Sequence, residues 1–496
     1  MSMAVPTMSG QLSPGDAAFL ARVSAAVFHN PFSEARHTVD LELAEADAQT
    51  PRDEILSRVV ERVEARLVQV AGVDSLDVRR FRGEARERVE HAVLFLLFHR
   101  YADPFDAFIE AQVEGHASGQ GLPFTAELMD ELAGYGFRKD AAAHMVAVFF
   151  QMRRAFYFID RSLIGRAPCM RSLREQLWNN VCTADIGRYS SLLTERMEDF
   201  STILLGPTGS GKGAAAAAIG RSGFIPYDPS RQRFVDAFTS AFIPINLSAY
   251  PATLIESELF GHRKGAFTGA IDGYDGVLGR CSPHGAVFLD EIGEVSIPVQ
   301  IKLLRVLQER NFTPVGSHTA LPFRGRVIAA THQDLTAMRR EGTFRDDFYY
   351  RLCSDVIEVP PLRLRLAEDA GELELLLENL LARILGDEDS GLVDEVATTI
   401  RRGVRADYAW PGNVRELEQA TRRILMGNAF TGETAVAATD DRRALVQGVD
   451  AGALTAKSLV SLYCRTLHAR HGTYEEVARR AQLDRRTVKK HIVGEG

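Results

Sequence analysis

The sequence predicts an α/β protein: a parallel sheet with its covering helices occupies the middle of the chain, and helical segments flank it. Three observations carry that expectation. From Ile55 the apolar residues Ile55, Leu56, Val59, Val60, Val63, Leu67 and Val70 recur at three-to-four spacing, with Glu61, Arg62, Glu64 and Arg66 on the other face of the same helix. Between about 160 and 430, short apolar runs at 201–205, 242–247, 286–289 and 326–330 alternate with helical stretches, as strand–helix crossovers require. Near the C-terminus, Tyr474–Ala481 and Arg485–Val493 read as short helices on either side of Gln482, Leu483 and Asp484.

Composition bounds the class. The chain has 496 residues, enough for about three cores at roughly 150 residues each. Hydrophobic content of 46%, charged content of 25% and a net charge of -8 suit a folded soluble protein, not a disordered chain or a fibre. The cysteines (Cys169, Cys182, Cys281, Cys353 and Cys464) form no CxxC pair, so neither a disulfide framework nor a zinc site is suggested. The Met1 end lacks a basic-then-apolar leader. The most apolar stretches, 91–98 and 144–159, stop at charged residues short of the ~18–20 apolar residues of a spanning helix. A cytoplasmic protein without membrane contact is expected. Its acidic total argues against a general nucleic-acid coat but leaves room for a local basic element.

The expected organisation is a helical regulatory or oligomerisation domain over 1–160, an α/β domain with a helical lid over 161–430, a polar linker over 431–452 and a small helical domain over 453–496. In the first, further helices are expected at 83–109 and 126–159, parted by a Gly-rich loop at 115–123. The cluster Phe149, Phe150, Phe156, Tyr157 and Phe158 suits a core.

The string Gly206, Pro207, Thr208, Gly209, Ser210, Gly211, Lys212 follows an apolar run and precedes the alanine-rich 214–219, the strand–loop–helix setting of a P-loop. Glycines let backbone N–H groups converge on phosphate oxygens at the positive end of the next helix, and Lys212 adds a point charge. The next position, usually a Ser/Thr hydroxyl for Mg²⁺, is Gly213, so the metal must be held through water and another carboxylate. The run 285–291 ends in such a pair: Asp290 suits Mg²⁺ and Glu291 suits polarising the attacking water. Together these motifs predict binding of ATP with Mg²⁺, and an ATPase.

Between them stands Gly265, Ala266, Phe267, Thr268, Gly269, Ala270, preceded by Glu256 to Lys264. This stretch closely resembles the signature of bacterial enhancer-binding proteins, the AAA+ activators of sigma-54 RNA polymerase. The resemblance covers about 162–430 and implies an AAA+ P-loop domain whose 265–270 loop touches the sigma factor. It implies that Asn246 restrains Glu291, that His332 serves as sensor I, and that Arg345 and Arg351 are fingers reaching a neighbouring subunit's nucleotide in a ring, a hexamer in this family. Arg415, within Trp410–Leu417, would be sensor II. Departures are Gly213, where the family usually has Glu, and insertions around 182–196 and 227–237. The region before 160 shows no receiver, GAF or PAS pattern.

In the C-terminal pair, Asp484 suits the N-cap of the second helix. Arg485, Arg486, Thr487, Lys489, Lys490 and His491 are expected to face outward, toward double-stranded DNA. Beside such a core, these helices resemble a Fis-type helix-turn-helix, and an earlier helix at 454–467 is expected to serve packing or dimerisation. The whole reads as a transcriptional activator that binds an upstream DNA site and remodels the sigma-54 RNA polymerase holoenzyme by ATP hydrolysis. Alternatives are an AAA+ remodeller of another substrate, and a DNA-binding regulator using nucleotide only as a switch.

Overall fold

The structure, a computed structural model, describes residues 10–72, 75–115, 122–184, 186–194, 196–386, 390–405, 407–432, 444–446, 448–471 and 473–493. Most of the expected 431–452 linker therefore lies outside the described residues. By internal contacts the chain forms two compact units, one of 1–394 with 409–421, the other of 395–408 with 422–496.

The sheet of the first unit has five parallel strands: β1 (Thr202–Leu205), β2 (Phe242–Asn246), β3 (Ala286–Asp290), β4 (Arg326–Thr331) and β5 (Asp355–Glu358), in the order β2-β3-β4-β1-β5. Four strands follow the expected apolar runs. The fifth, Asp-Val-Ile-Glu, is short and has only two apolar residues, so nothing in it stood out. Side chains alternate between the sheet's two faces. On one face Leu204, Phe288, Ile328 and Ala330 join a core that also holds the helix Lys212–Gly220. On the other, Ile203, Val287, Leu289 and Ala329 pack with Leu303, Leu307 and Phe348.

The first of these cores continues without a break into the N-terminal helices. The boundary expected near 160 falls at the end of one long helix, Lys139–Ser162, which packs on Lys212–Gly220. Two helices precede the expected ones, Pro14–Phe28 and Glu34–Ala44, each started by a serine whose side chain accepts from a first-turn N–H. The helix expected over 83–109 is two, Gly83–Arg100 and Ala102–Val113. That expected over 126–159 is also two, Pro123–Gly134 and Lys139–Ser162. Gly136, at φ 97°, turns the chain between them, and this left-handed position favours glycine.

The insertion near 227–237 is a small hairpin, Tyr227–Asp228 with Arg233–Phe234, and it wedges against the N-terminal helices. Phe234 stacks on Phe150 with ring centroids 4.2 Å apart, and the Tyr227 and Thr125 hydroxyls pair at 2.8 Å. The other insertion, around 182–196, buries Tyr189, whose hydroxyl donates to Gln151 at 2.8 Å. Both insertions thus bind the helical region to the α/β region.

Candidate nucleotide site and surface elements

The 206–212 loop leaves β1 and enters the helix Lys212–Gly220. Gly206, Gly209 and Gly211 have φ of 155°, 77° and 109°. At Gly209 a Cβ would lie 2.2 Å from the Gly412 carbonyl, so glycine is required there both for conformation and for close approach. Lys212 folds back over the loop, its Nζ donating to the Gly206 carbonyl at 2.8 Å and to the Pro207 carbonyl at 3.1 Å. Burial pulls its ammonium below the ordinary lysine range, against the nearby charges of Glu291 and Asp290. Ser210 Oγ is buried with no hydrogen-bond partner among the described residues. Gly213 is exposed, and a Cβ there would meet nothing within 4 Å.

Asp290 ends β3. Burial, and next the charge of Glu291, raise its carboxyl above the usual range. A carboxylate so placed gains from a cation beside it, so the donor set suits Mg²⁺ bound through one carboxylate, phosphate oxygens and water. Glu291 has φ 56°, a left-handed backbone that non-glycine residues rarely adopt and that costs on the order of 1 kcal/mol or more.

The contact expected of Asn246 is not made in this structure. Asn246 stands opposite Asp290 in the sheet register, but its Oδ1 accepts from the Ser248 N–H at 3.0 Å and the Ser248 hydroxyl at 2.8 Å, where it caps a single helical turn. Glu291 is held instead by His332, which follows β4. The imidazole Nδ1 lies 2.8 Å from Glu291 Oε2, and the His332 N–H donates to the same oxygen at 3.4 Å.

Arg415 sits on the helix Asn413–Leu425 at the loop, its Cβ 3.1 Å from where a Gly209 Cβ would be, and its charge bears on Lys212 and Asp290. Asn413, within the Trp410–Leu417 stretch, has a role that no sequence expectation assigned to it. Its Nδ2 donates to the Thr208 carbonyl at 2.9 Å, its Oδ1 accepts from the Leu362 N–H at 2.8 Å, and the Val414 N–H donates to the Gly209 carbonyl at 3.1 Å. The first turn of the helix Asn413–Leu425 is thereby stitched to the 206–212 loop.

Arg345 is half-buried and paired with Asp347, donating from Nε at 3.0 Å and Nη2 at 2.7 Å. Arg351 is not extended outward: its Nε and Nη2 donate to the Leu307 carbonyl at 3.0 and 2.8 Å, near the end of the helix Ile297–Glu309. A role for Arg351 toward a neighbouring subunit would require that contact to open.

The 265–270 loop is a tight excursion closed by the Gly265 N–H donating to the Ala270 carbonyl at 2.8 Å. Gly265 and Gly269 are left-handed, at 79° and 103°. Thr268 is exposed, Phe267 is 40% exposed and Ile271 76%, an apolar tip on the surface; Phe267 rests edge-on against the His262 ring at 4.9 Å.

In the second unit, Ala456–His471, Tyr474–Ala481 and Arg485–Val493 close around Cys464, Val477 and Val488. Asp484 caps the last helix, accepting from the Arg486 N–H at 2.8 Å. Arg485, Arg486, Thr487, Lys489 and Lys490 are exposed as expected, with Arg485 also paired to Glu475 at 3.0 Å. His491 departs from the expectation: it turns inward, its Nδ1 2.8 Å from Ser461 Oγ. Among the described residues no helix is long and apolar enough to cross a membrane.

Residues 188–358 match the family model described as the Sigma-54 interaction domain. Over 267 residues the chain is 38% identical to the DNA-binding transcriptional regulator NtrC of Azospirillum brasilense, covering 53% of this chain and 47% of that one. It is 37% identical over 265 residues to the response regulator protein PilR of Pseudomonas aeruginosa, covering 53% and 52%. A C4-dicarboxylate transport transcriptional regulatory protein, DctD of Rhizobium meliloti, is 35% identical over 321 residues, covering 64% and 62%. The chain thus spans about half the length of the first two relatives.

Proposed function

We propose that this chain is a sigma-54-dependent transcriptional activator driven by ATP hydrolysis. The observation that carries the reading is a conjunction within one α/β unit. Lys212, Asp290 and Glu291 converge at the C-terminal ends of parallel strands, while Phe267 and Thr268 stand exposed at the tip of the 265–270 loop, whose Ala270 end is buried, in the segment that matches the Sigma-54 interaction domain. Open α/β sheets bind ligands at that end of their strands.

In this reading the 206–212 amides and Lys212 bind the phosphates, Asp290 holds Mg²⁺, and Glu291 polarises the water once His332 releases it. Mg²⁺ would neutralise phosphate charge. Arg345, and Arg351 if freed from Leu307, would serve the nucleotide of the next subunit in a ring, taken as a hexamer. Arg415 would sense nucleotide from the lid. Phe267 and Thr268 would meet sigma-54, and Arg485, Arg486, Thr487, Lys489 and Lys490 an upstream DNA duplex.

Steady-state phosphate release by the full chain tests the catalytic half. Turnover per subunit is expected to rise with protein concentration, to vanish in Lys212→Ala with loss of nucleotide binding, and to vanish in Glu291→Ala with binding kept. Turnover that persists in Glu291→Ala would remove that residue from its role.

A further inference from the structure

Two consecutive carbonyls of the 206–212 loop are held from outside it. Asn413 Nδ2 donates to the Thr208 carbonyl at 2.9 Å, and the Val414 N–H donates to the Gly209 carbonyl at 3.1 Å. Both peptide units are trans, and a trans peptide is planar, with its C=O and N–H pointing in opposite directions. Fixing the Thr208 carbonyl therefore sets the direction of the Gly209 N–H, and fixing the Gly209 carbonyl sets that of the Ser210 N–H. Both N–H groups turn away from the helix Asn413–Leu425. The Ser210 N–H shows where they face. It donates to the Pro207 carbonyl at 3.3 Å, the same carbonyl that Lys212 Nζ reaches at 3.1 Å. The helix thus turns these amides to the face of the loop that Lys212 serves.

Asn413 suits that grip in its side chain and in its backbone. It is 2% exposed and has φ 52°, a left-handed conformation that Asn adopts more readily than most other non-glycine residues. Its amide is used at both ends, since Oδ1 accepts from the Leu362 N–H at 2.8 Å. Leu362 opens the helix Leu362–Glu368 that follows β5, and β5 is the sheet neighbour of β1. One side chain therefore ties the loop after β1 to the segment after β5. The turn before it is braced by the Gly412 N–H, which donates to Glu416 Oε2 at 2.9 Å.

We propose that Asn413 is a positioning residue for the phosphates of the nucleotide: with the Val414 N–H it grips the loop from behind and so presents the Gly209 and Ser210 amides to the phosphate oxygens. This rests on the nucleotide reading of the 206–212 loop and adds a consequence to it. Binding free energies are reciprocal, so phosphate that engages these amides tightens the hold of Asn413 and Val414 on the carbonyls behind them.

The test measures ADP binding to the full chain by calorimetry. Asn413→Gly keeps the left-handed backbone and removes the amide, and it is expected to weaken ADP binding about tenfold or more. Thr421→Val, two turns further along the same helix, removes a buried hydroxyl that donates to the Leu417 carbonyl. It is expected to lower the urea midpoint while leaving ADP affinity within about twofold of the wild type. Equal ADP affinity in Asn413→Gly and the wild type overturns the inference, and so does equal weakening in both variants, which would mark general loosening of the helix. Lys212→Ala separates this inference from the reading beneath it. ADP that binds neither the wild type nor Lys212→Ala, or both alike, overturns the nucleotide reading and the inference with it. Binding lost in Lys212→Ala and kept in Asn413→Gly overturns the inference alone. If Asn413→Gly does not fold, amide exchange in the wild type decides: saturating ADP is expected to slow exchange at Val414 about tenfold or more, and an unchanged rate overturns the inference.

Discussion

The imidazole of His332 holds the carboxylate of Glu291, Nδ1 to Oε2 at 2.8 Å, across the ends of adjacent strands. Glu291 also sits on a left-handed backbone, so two local constraints fix the residue proposed to polarise water. A charge-assisted hydrogen bond of this kind contributes about 1.5–3 kcal/mol. In His332→Ala the carboxylate is free to turn toward the phosphate loop, and basal phosphate release without sigma-54 is expected to rise several-fold. A fall in release would mean that His332 assists chemistry instead of restraining it.

Arg154 is fully buried, its Nη1 donating to Arg221 O at 2.7 Å and Nη2 to Gly223 O at 2.8 Å, with its guanidinium 4.4 Å from the Phe150 centroid. Arg154→Met keeps much of the apolar stem but strips both carbonyls of their donor, at about 1–3 kcal/mol each. A lower urea midpoint and weaker nucleotide binding are expected together. Loss of stability with unchanged nucleotide affinity would separate this contact from the phosphate loop.

The pair Arg365 and Glu372 is buried, at 4% and 0% side-chain exposure, with Nη2 to Oε1 at 2.6 Å. Glu372 Oε2 also accepts from the N–H groups of Arg166, at 2.7 Å, and Ala167, at 3.3 Å, while Arg365 reaches the Ile164 carbonyl. The segment entering the helix Pro168–Cys182 is thus fastened to the helices that follow the sheet. Glu372→Ala leaves a buried guanidinium unpaired and should cost about 3–5 kcal/mol of unfolding free energy, read by urea denaturation. A loss below about 1 kcal/mol would show that the pair is not structural.

His99 gives a pH dependence of definite sign. Burial, and next the charges of Arg36 and Arg153, push its folded value down to about 3, below the 6.5 of an unperturbed imidazole. The unfolded chain therefore binds the extra proton, and stability from this group is present above about 6.5 and is lost as pH falls toward 3. His99→Phe should flatten the acid limb of the stability profile between pH 6.5 and 4. An unchanged limb would mean that the ring is charged in the folded protein.

Much of the site was legible because its signals are local. The glycines and Lys212 mark the phosphate loop, the apolar run before Asp290 marks a buried strand, and Asp484 marks a cap; each proved to lie where expected. Contacts between distant residues carry no such mark. His332 replacing Asn246 at Glu291, Arg351 tied to Leu307, and Asn413 stitched to Thr208 depend on which side chains the sheet and lid bring together.

The most direct test of the central claim is retention of the full chain on immobilised sigma-54 in the presence of ADP with aluminium fluoride, a transition-state mimic. Retention is expected with the mimic, absent with ADP alone, and lost in Thr268→Ala, whose exposed side chain can be removed without disturbing the fold. Hydrolysis without mimic-dependent retention, or retention that ignores Thr268, would contradict an ATP-gated contact through the 265–270 loop.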